Sequence, residues 1–220
     1  MSERVVHWID APTVSIIDDK EGVRRSLMDM FASHDIAADE FECPGDFLAN
    51  PAVDRHGCII LDADMPNLNG LQFQLRLRAL QCRRPVVFMT GLDDVRLSID
   101  PLKAGARGVL LKPLDKEDVI ATATRAIKED STRRALQRHA EEACRNVRLL
   151  TPREREVMRH VADGLLNKQI AFEMGISEIM AKLHRSRMMR KMRCRSLSEL
   201  VRNYDLVVAR EDAEAHGLYY

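Results

Sequence analysis

Four short aliphatic runs set the strongest constraint on what this chain can fold into. TVSII (13–17), CIIL (58–61), PVVFM (85–89) and GVLL (108–111) are compact and bounded by turn residues. Runs of this kind suit strands buried on both faces of a parallel sheet. A weaker run near residues 38–43 supplies a fifth strand. Helix-like spacing or composition fills the intervals, at 23–33, 45–50, 71–80, 94–104 and 116–128. Five βα units in succession predict an α/β doubly wound five-stranded parallel sheet.

What ends these runs is chemically unusual. Asp18-Asp19 follow the first, Asp62 follows the third, Thr90 ends the fourth and Lys112 follows the fifth. In an open α/β sheet, ligands gather at the carboxyl ends of the strands, near the point where strand order reverses. Carboxylates brought within ~4 Å repel by roughly 4 kcal/mol per pair at a surface-like dielectric. Packing gives no return for that cost, whereas a divalent cation or Lys112 relieves it. Mg²⁺ fits best, because it takes hard oxygen ligands, needs few protein groups and leaves room for phosphate. A single strand-end Asp is more often a cap for the following turn. All five residues together, at four strand ends, point to a site.

Charge divides the chain. Residues 1–128 hold 16 Lys/Arg against 20 Asp/Glu, a net of −4, while residues 149–209 hold 12 against 7, a net of +5. Between Lys182 and Arg195 stand seven basic residues and no acidic one. Two domains with different partners follow from this asymmetry. Residues 114–151 contain neither Gly nor Pro. Helix can therefore continue far beyond 128, or Ser131-Thr132 can begin a second one. Ile127, Leu136, Ala140, Ala143 and Val147 form only a ragged apolar stripe, a weak dimer seam at most. Helices then dominate. Thr151-Pro152-Arg153-Glu154 is a capping box with proline at the first helical position. Met174-Gly175-Ile176-Ser177 is a tight turn that ends in an N-cap. The tail EDAEAHGLYY is expected to be loosely held.

The front half, read as IIDD, LDADMPNLNG, FMTG and GVLLKP over about residues 12–130, resembles the receiver domain of a two-component response regulator of the NarL/FixJ type. In that family the aspartate matching Asp62 takes a phosphoryl group from a sensor histidine kinase. The resemblance implies that Asp19 ligates Mg²⁺ directly, Asp18 largely through water, and Asp64 through its backbone carbonyl. Lys112 pairs with the phosphoryl oxygens and the Thr90 hydroxyl moves to meet them. It also implies a flavodoxin-like fold and a cis Lys112-Pro113 bond, and Gly70 suits a turn with unusual backbone angles. One departure stands out. Receivers often carry Tyr or Phe three residues before the lysine, and here that position is Val109. A switch must then work through Thr90 and aliphatic repacking over residues 94–128.

The back half, 150–201, resembles a LuxR-type helix-turn-helix domain almost throughout, including NKQIA (167–171), GIS (175–177) and MRKM (189–192). Ala181, His184, Met188 and Met192 recur at helical spacing and should face inward, so His184 reads as a packed histidine. Lys182, Arg185, Arg187 and Arg190 lie on or beside the outward face. By resemblance, Lys182 and Arg185 reach bases or phosphates in the major groove. Asn167 and Lys168 hold the DNA backbone at the start of the preceding helix. Relatives commonly have Thr-Val where this chain has Met180-Ala181, which removes a hydroxyl from that surface.

Together these imply a receiver domain (12–129), a helical linker (130–148) and a small all-α helix-turn-helix domain (149–209). The expected function is a transcriptional regulator, not an enzyme, with Mg²⁺ as cofactor. The expected partners are the sensor kinase, promoter DNA, RNA polymerase and a second copy on phosphorylation. No apolar run approaches the ~18 residues of a membrane helix. The N-terminus lacks a secretory segment, and Cys43, Cys58, Cys82, Cys144 and Cys194 show no metal or disulfide spacing, so a cytoplasmic protein is expected. Two other readings remain. One is a DNA-binding regulator controlled without phosphorylation. The other is a phosphohydrolase of the haloacid-dehalogenase type, suggested by Asp62-x-Asp64, although that family places its Asp-x-Asp after the first strand.

Overall fold

The computed structural model describes residues 11–65, 70–91 and 106–215. The chain divides into two compact units, Met1–Arg133 and Arg134–Tyr220. In the first, strands β1 (Thr13–Ile17), β2 (Ala37–Phe41), β3 (Gly57–Asp62), β4 (Val86–Thr90) and β5 (Gly108–Leu111) form one sheet. Its order is β2-β1-β3-β4-β5, with every pairing parallel. Helices α1 (Glu21–Ala32), α2 (Pro44–Ala49), α3 (Gly70–Ala79) and the first part of α4 (Lys116–Arg148) accompany it. The helix expected over 94–104 lies outside the described residues.

Neighbouring strand residues point to opposite faces of a sheet, and the two apolar layers follow that rule. Ile16 and Ile60 pack with Leu27 and Phe31 of α1 and Val119 and Ala123 of α4. Ile17, Ile59 and Leu61 pack on the other side with Phe47 of α2 and Phe73 and Leu77 of α3. Helices on both faces make the sheet doubly wound. β1, β3 and β4 are buried at every position. The last strand departs from the expected burial: β5 is half-exposed and Leu111 faces solvent. An edge strand has a neighbour on one side only, and the aliphatic run gave no sign of that. Val109 sits half-buried on this edge.

Ser131 and Thr132 do not restart the helix. Their hydroxyls donate to the carbonyls of Ile127 and Lys128 one turn back, which lets both residues sit inside a continuous helix. Asp130, fully buried, accepts the Gly57 N–H at 3.0 Å and pairs with Arg133. Gly57 has φ +139°, and a Cβ there would lie 1.9 Å from the Thr13 carbonyl oxygen, so only glycine closes this corner. The 130–148 segment, expected as a helical linker, is helical throughout and continues α4. Its start is fastened to the sheet, while Ala143 and Val147 join the core of the second unit. The ragged stripe is likewise divided, with Ile127 against the first core and Leu136 exposed.

In the second unit, α5 (Pro152–Ala162), α6 (Asn167–Glu173), α7 (Glu178–Lys191) and α8 (Leu197–Ala215) surround Val157, Ile170, Met188 and Leu200. The capping box forms as the sequence requires. Glu154 N–H donates to Thr151 Oγ1, and Thr151 N–H donates to the Glu154 carboxylate. Gly175 adopts φ +63° and Ser177 Oγ accepts the Met180 N–H, so the turn between α6 and α7 is built as expected. Helix α8 continues through Ala215, into the first residues of the tail. Residues 216–220 lie outside the described residues.

Candidate functional site

Register brings the strand-end residues together. Ile17 pairs with Leu61, so Asp18 and Asp62 emerge side by side. Asp62 pairs with Met89, and Thr90 with Leu111, which sets Thr90 and Lys112 next along the same edge. Carboxylate oxygens of Asp18, Asp19 and Asp62 lie within 4.8 Å of one another. Asp18 and Asp62 are fully buried, whereas Asp19 is exposed.

Lys112 Nζ stands 2.8 Å from Asp62 Oδ2, 3.7 Å from Asp64 Oδ2 and 4.0 Å from Asp18 Oδ2. The 2.8 Å contact is an ion pair without hydrogen-bond alignment, since Asp62 Oδ2 accepts no hydrogen bond from the described residues. Asp62 Oδ1 accepts the Asp64 N–H at 3.0 Å. Asp18 Oδ1 accepts the Lys20 N–H at 2.8 Å, and Asp18 Oδ2 is buried without a hydrogen bond. Burial pushes the Asp18 carboxyl above its ordinary value and the Asp62 charge adds to this, against the Lys20 amide and Lys112. The Lys112-Pro113 peptide is cis.

Sequence reasoning gave Asp64 only a backbone carbonyl. Its carboxylate does more. Oδ1 accepts from the Thr90 hydroxyl at 3.4 Å and Oδ2 from the Gly91 N–H at 3.2 Å. Thr90 is thus engaged by Asp64, not by Asp62. The Asp-x-Asp spacing was the available signal, but the direction of a turn side chain is set by its tertiary neighbours. Gly70 opens α3, and residues 66–69, where a turn is expected, lie outside the described residues.

The residues present fit a hard divalent cation. Two buried carboxylate oxygens accept no hydrogen bond from the described residues, an exposed third carboxylate stands beside them, and every donor is oxygen. Asp18, Asp19 and Asp62 would hold Mg²⁺, which neutralises charge on bound phosphoryl oxygens.

On the second unit, Lys182, Arg187 and Arg190 are exposed along α7, while Ala181, Met188 and Met192 are buried. His184 is half-buried, as its spacing required. Several cations have intramolecular partners that the sequence did not announce. Arg185 Nη1 donates to Asn167 Oδ1 at 3.3 Å, tying α7 to the start of α6. Lys182 pairs with Glu178 at 2.9 Å. Lys191 reaches the nearly buried Glu154 at 2.6 Å. Burial raises the Glu154 carboxyl, yet hydrogen bonds from Lys191 and Thr151 outweigh it and hold the group below its ordinary value. Lys168 is exposed.

Residues 14–124 match the response regulator receiver domain family, and residues 148–204 match the luxR family of bacterial regulatory proteins. The chain is a response regulator. Nodulation protein W of Bradyrhizobium diazoefficiens is 35% identical over 189 residues, covering 86% of this chain and 83% of its own. The transcriptional regulatory protein FixJ of Azorhizobium caulinodans is 38% identical over 191 residues, covering 86% and 90%. Among solved structures, the response regulator StyR gives a TM-score of 0.76 at 33% identity, covering 89% of this chain and 98% of that one. A receiver domain joined to a luxR-type DNA-binding domain makes this response regulator a transcriptional regulator and not an enzyme. No helix among the described residues is long and apolar enough to cross a membrane.

Proposed function

We propose that this response regulator is switched by phosphorylation of Asp62. The observation that carries the reading is the buried Asp62 carboxylate with Lys112 Nζ at 2.8 Å and the Asp18 and Asp19 carboxylates beside it. An Asp62 oxygen attacks phosphorus as the P–N bond to a histidine of the partner kinase breaks. The leaving imidazole keeps the electron pair. Lys112 already faces the nucleophile and offsets charge on the equatorial oxygens as they form. Mg²⁺ supplies the remaining charge neutralisation when held by Asp18, Asp19 and Asp62 and by the Asp64 carbonyl.

Thr90 then exchanges its 3.4 Å bond to Asp64 for one to the phosphoryl group. With Val109 in place of an aromatic ring, this exchange carries the switch. The phosphorylated state pairs two copies on promoter DNA in the cytoplasm, where they meet RNA polymerase. Lys182, Arg185, Arg187 and Arg190 contact the duplex with Asn167 and Lys168.

Labelling by a small-molecule phosphodonor tests this. Native protein should take up one phosphoryl group per chain in a Mg²⁺-dependent manner. Asp62→Asn should take up none while keeping its circular dichroism spectrum. Equal labelling of the two would remove Asp62 from the role, and no labelling of native protein would leave a DNA-binding regulator controlled by other means.

A further inference from the structure

The helix that carries the basic run also exposes an apolar pair that no cation contact explains. At 3.6 residues per turn, buried Ala181, Met188 and Met192 fix the inward side of α7. The opposite side is then centred on Ile179, Leu183, Ser186 and Arg190. Ile179 is 77% exposed and Leu183 39% exposed. They stand four residues apart, so their side chains are adjacent on one face. Lys182, Arg187 and Arg190 are exposed beside them, and the N-cap Ser177 starts the helix two residues before Ile179.

A solvated face has no use for isoleucine at its centre. An ordinary protein partner would meet Lys182, Arg187 and Arg190 beside that apolar spot, against the single acidic Glu178 that pairs with Lys182. A duplex satisfies both features, because its phosphates pair with the flanking cations while its major groove presents apolar points only at the thymine 5-methyl groups. In helix-turn-helix proteins the N-terminal residues of the second helix reach base edges.

We infer that Ile179 and Leu183 read thymine methyl groups in the major groove, so the half-site contains thymine at the positions they face. The inference rests on the DNA-binding reading above and adds the base that is read. Lys182, Arg187 and Arg190 hold the backbone, and the apolar pair supplies sequence choice.

The test uses the 220-residue chain and uracil. Bound duplexes are selected from a random pool, and each thymine of the preferred site is then replaced singly by uracil, which removes only the methyl group. One or two neighbouring replacements should weaken binding about three- to fivefold, the scale of one buried methyl group. Ile179→Ala and Leu183→Ala should bind the thymine site more weakly and lose that discrimination, with an unchanged salt slope. Both side chains are solvent-accessible, and thermal melting verifies that the variants fold. Lys182→Ala should lower affinity while keeping thymine preferred over uracil. Salt-dependent binding with no uracil-sensitive position would overturn the methyl assignment and leave the DNA reading standing. Discrimination that survives both truncations would assign the methyl contact elsewhere and overturn it too. Failure to bind any duplex would remove the DNA reading and this inference together.

Discussion

Asp18 concentrates the cost of the acidic pocket. It is fully buried, one of its oxygens accepts no hydrogen bond from the described residues, and the Asp62 charge is adjacent. Its raised carboxyl pKa means that folding penalises the ionised form. The penalty is present at neutral pH and is relieved as pH falls through the raised value toward the ordinary aspartate value of about 3.9. Asp18→Asn should therefore raise the melting temperature in cation-free buffer at neutral pH by a few degrees, about 2–4 °C per kcal/mol for a protein of this size. The gap should close on acidification. Mg²⁺ should stabilise the native protein and leave the variant nearly unmoved. Melting curves with and without Mg²⁺ at several pH values check this; a native protein indifferent to Mg²⁺ would remove the cation from the pocket. Asp18, Asp62, Thr90 and Lys112 were legible in the sequence because each terminates an aliphatic run, and parallel register does the rest. The Asp64 carboxylate was not legible, since its contact with Thr90 depends on how a turn is aimed.

Elements in the second unit are joined by polar side chains that periodicity does not reveal. Glu154 completes the cap of α5 and also receives Lys191 from the last turn of α7. A depressed carboxyl pKa stabilises the fold above the ordinary glutamate value of about 4.3, and that stability is lost as pH falls through the lower folded value. Glu154→Gln should cost roughly 1.5–3 kcal/mol near neutral pH, the range for hydrogen bonds to a charged group. The deficit relative to native protein should shrink at acid pH. Denaturant unfolding at several pH values measures it, and a pH-independent deficit would mean that packing, not charge, is what the substitution removes. Gly175→Ala should cost about 1–2 kcal/mol by forcing a Cβ into left-handed backbone, read by the same unfolding curves. The capping box and the glycine turn were visible because their signals are local in sequence. The Glu154–Lys191 pair spans two helices, and the basic run gave no hint that one of its members is structural. The continuity of α4 was similarly undecided by sequence, because Ser131 and Thr132 favour a helix start as well as they tolerate an interior. Their bonds to the carbonyls four residues back resolve it.

At the scale of the molecule, the proposed switch makes a thermodynamic demand that can be checked without knowing its structural route. Each unit has its own apolar core, and the acidic pocket and the basic helix lie on different units. If a phosphoryl group at Asp62 strengthens DNA binding by some factor, DNA must strengthen occupancy of the phosphoryl site by the same factor. A non-covalent phosphoryl mimic, beryllium trifluoride with Mg²⁺, makes this an equilibrium measurement. Coupling of 5- to 150-fold corresponds to the usual range of about 1–3 kcal/mol. Titrating the mimic with and without the selected duplex, and the duplex with and without the mimic, should give equal ratios. The Asp62→Asn chain should give a ratio of one while binding DNA as the unmodified native protein does. Ratios of one for the native chain would separate the two units functionally, leaving a receiver that accepts phosphate and a DNA-binding domain that does not respond to it.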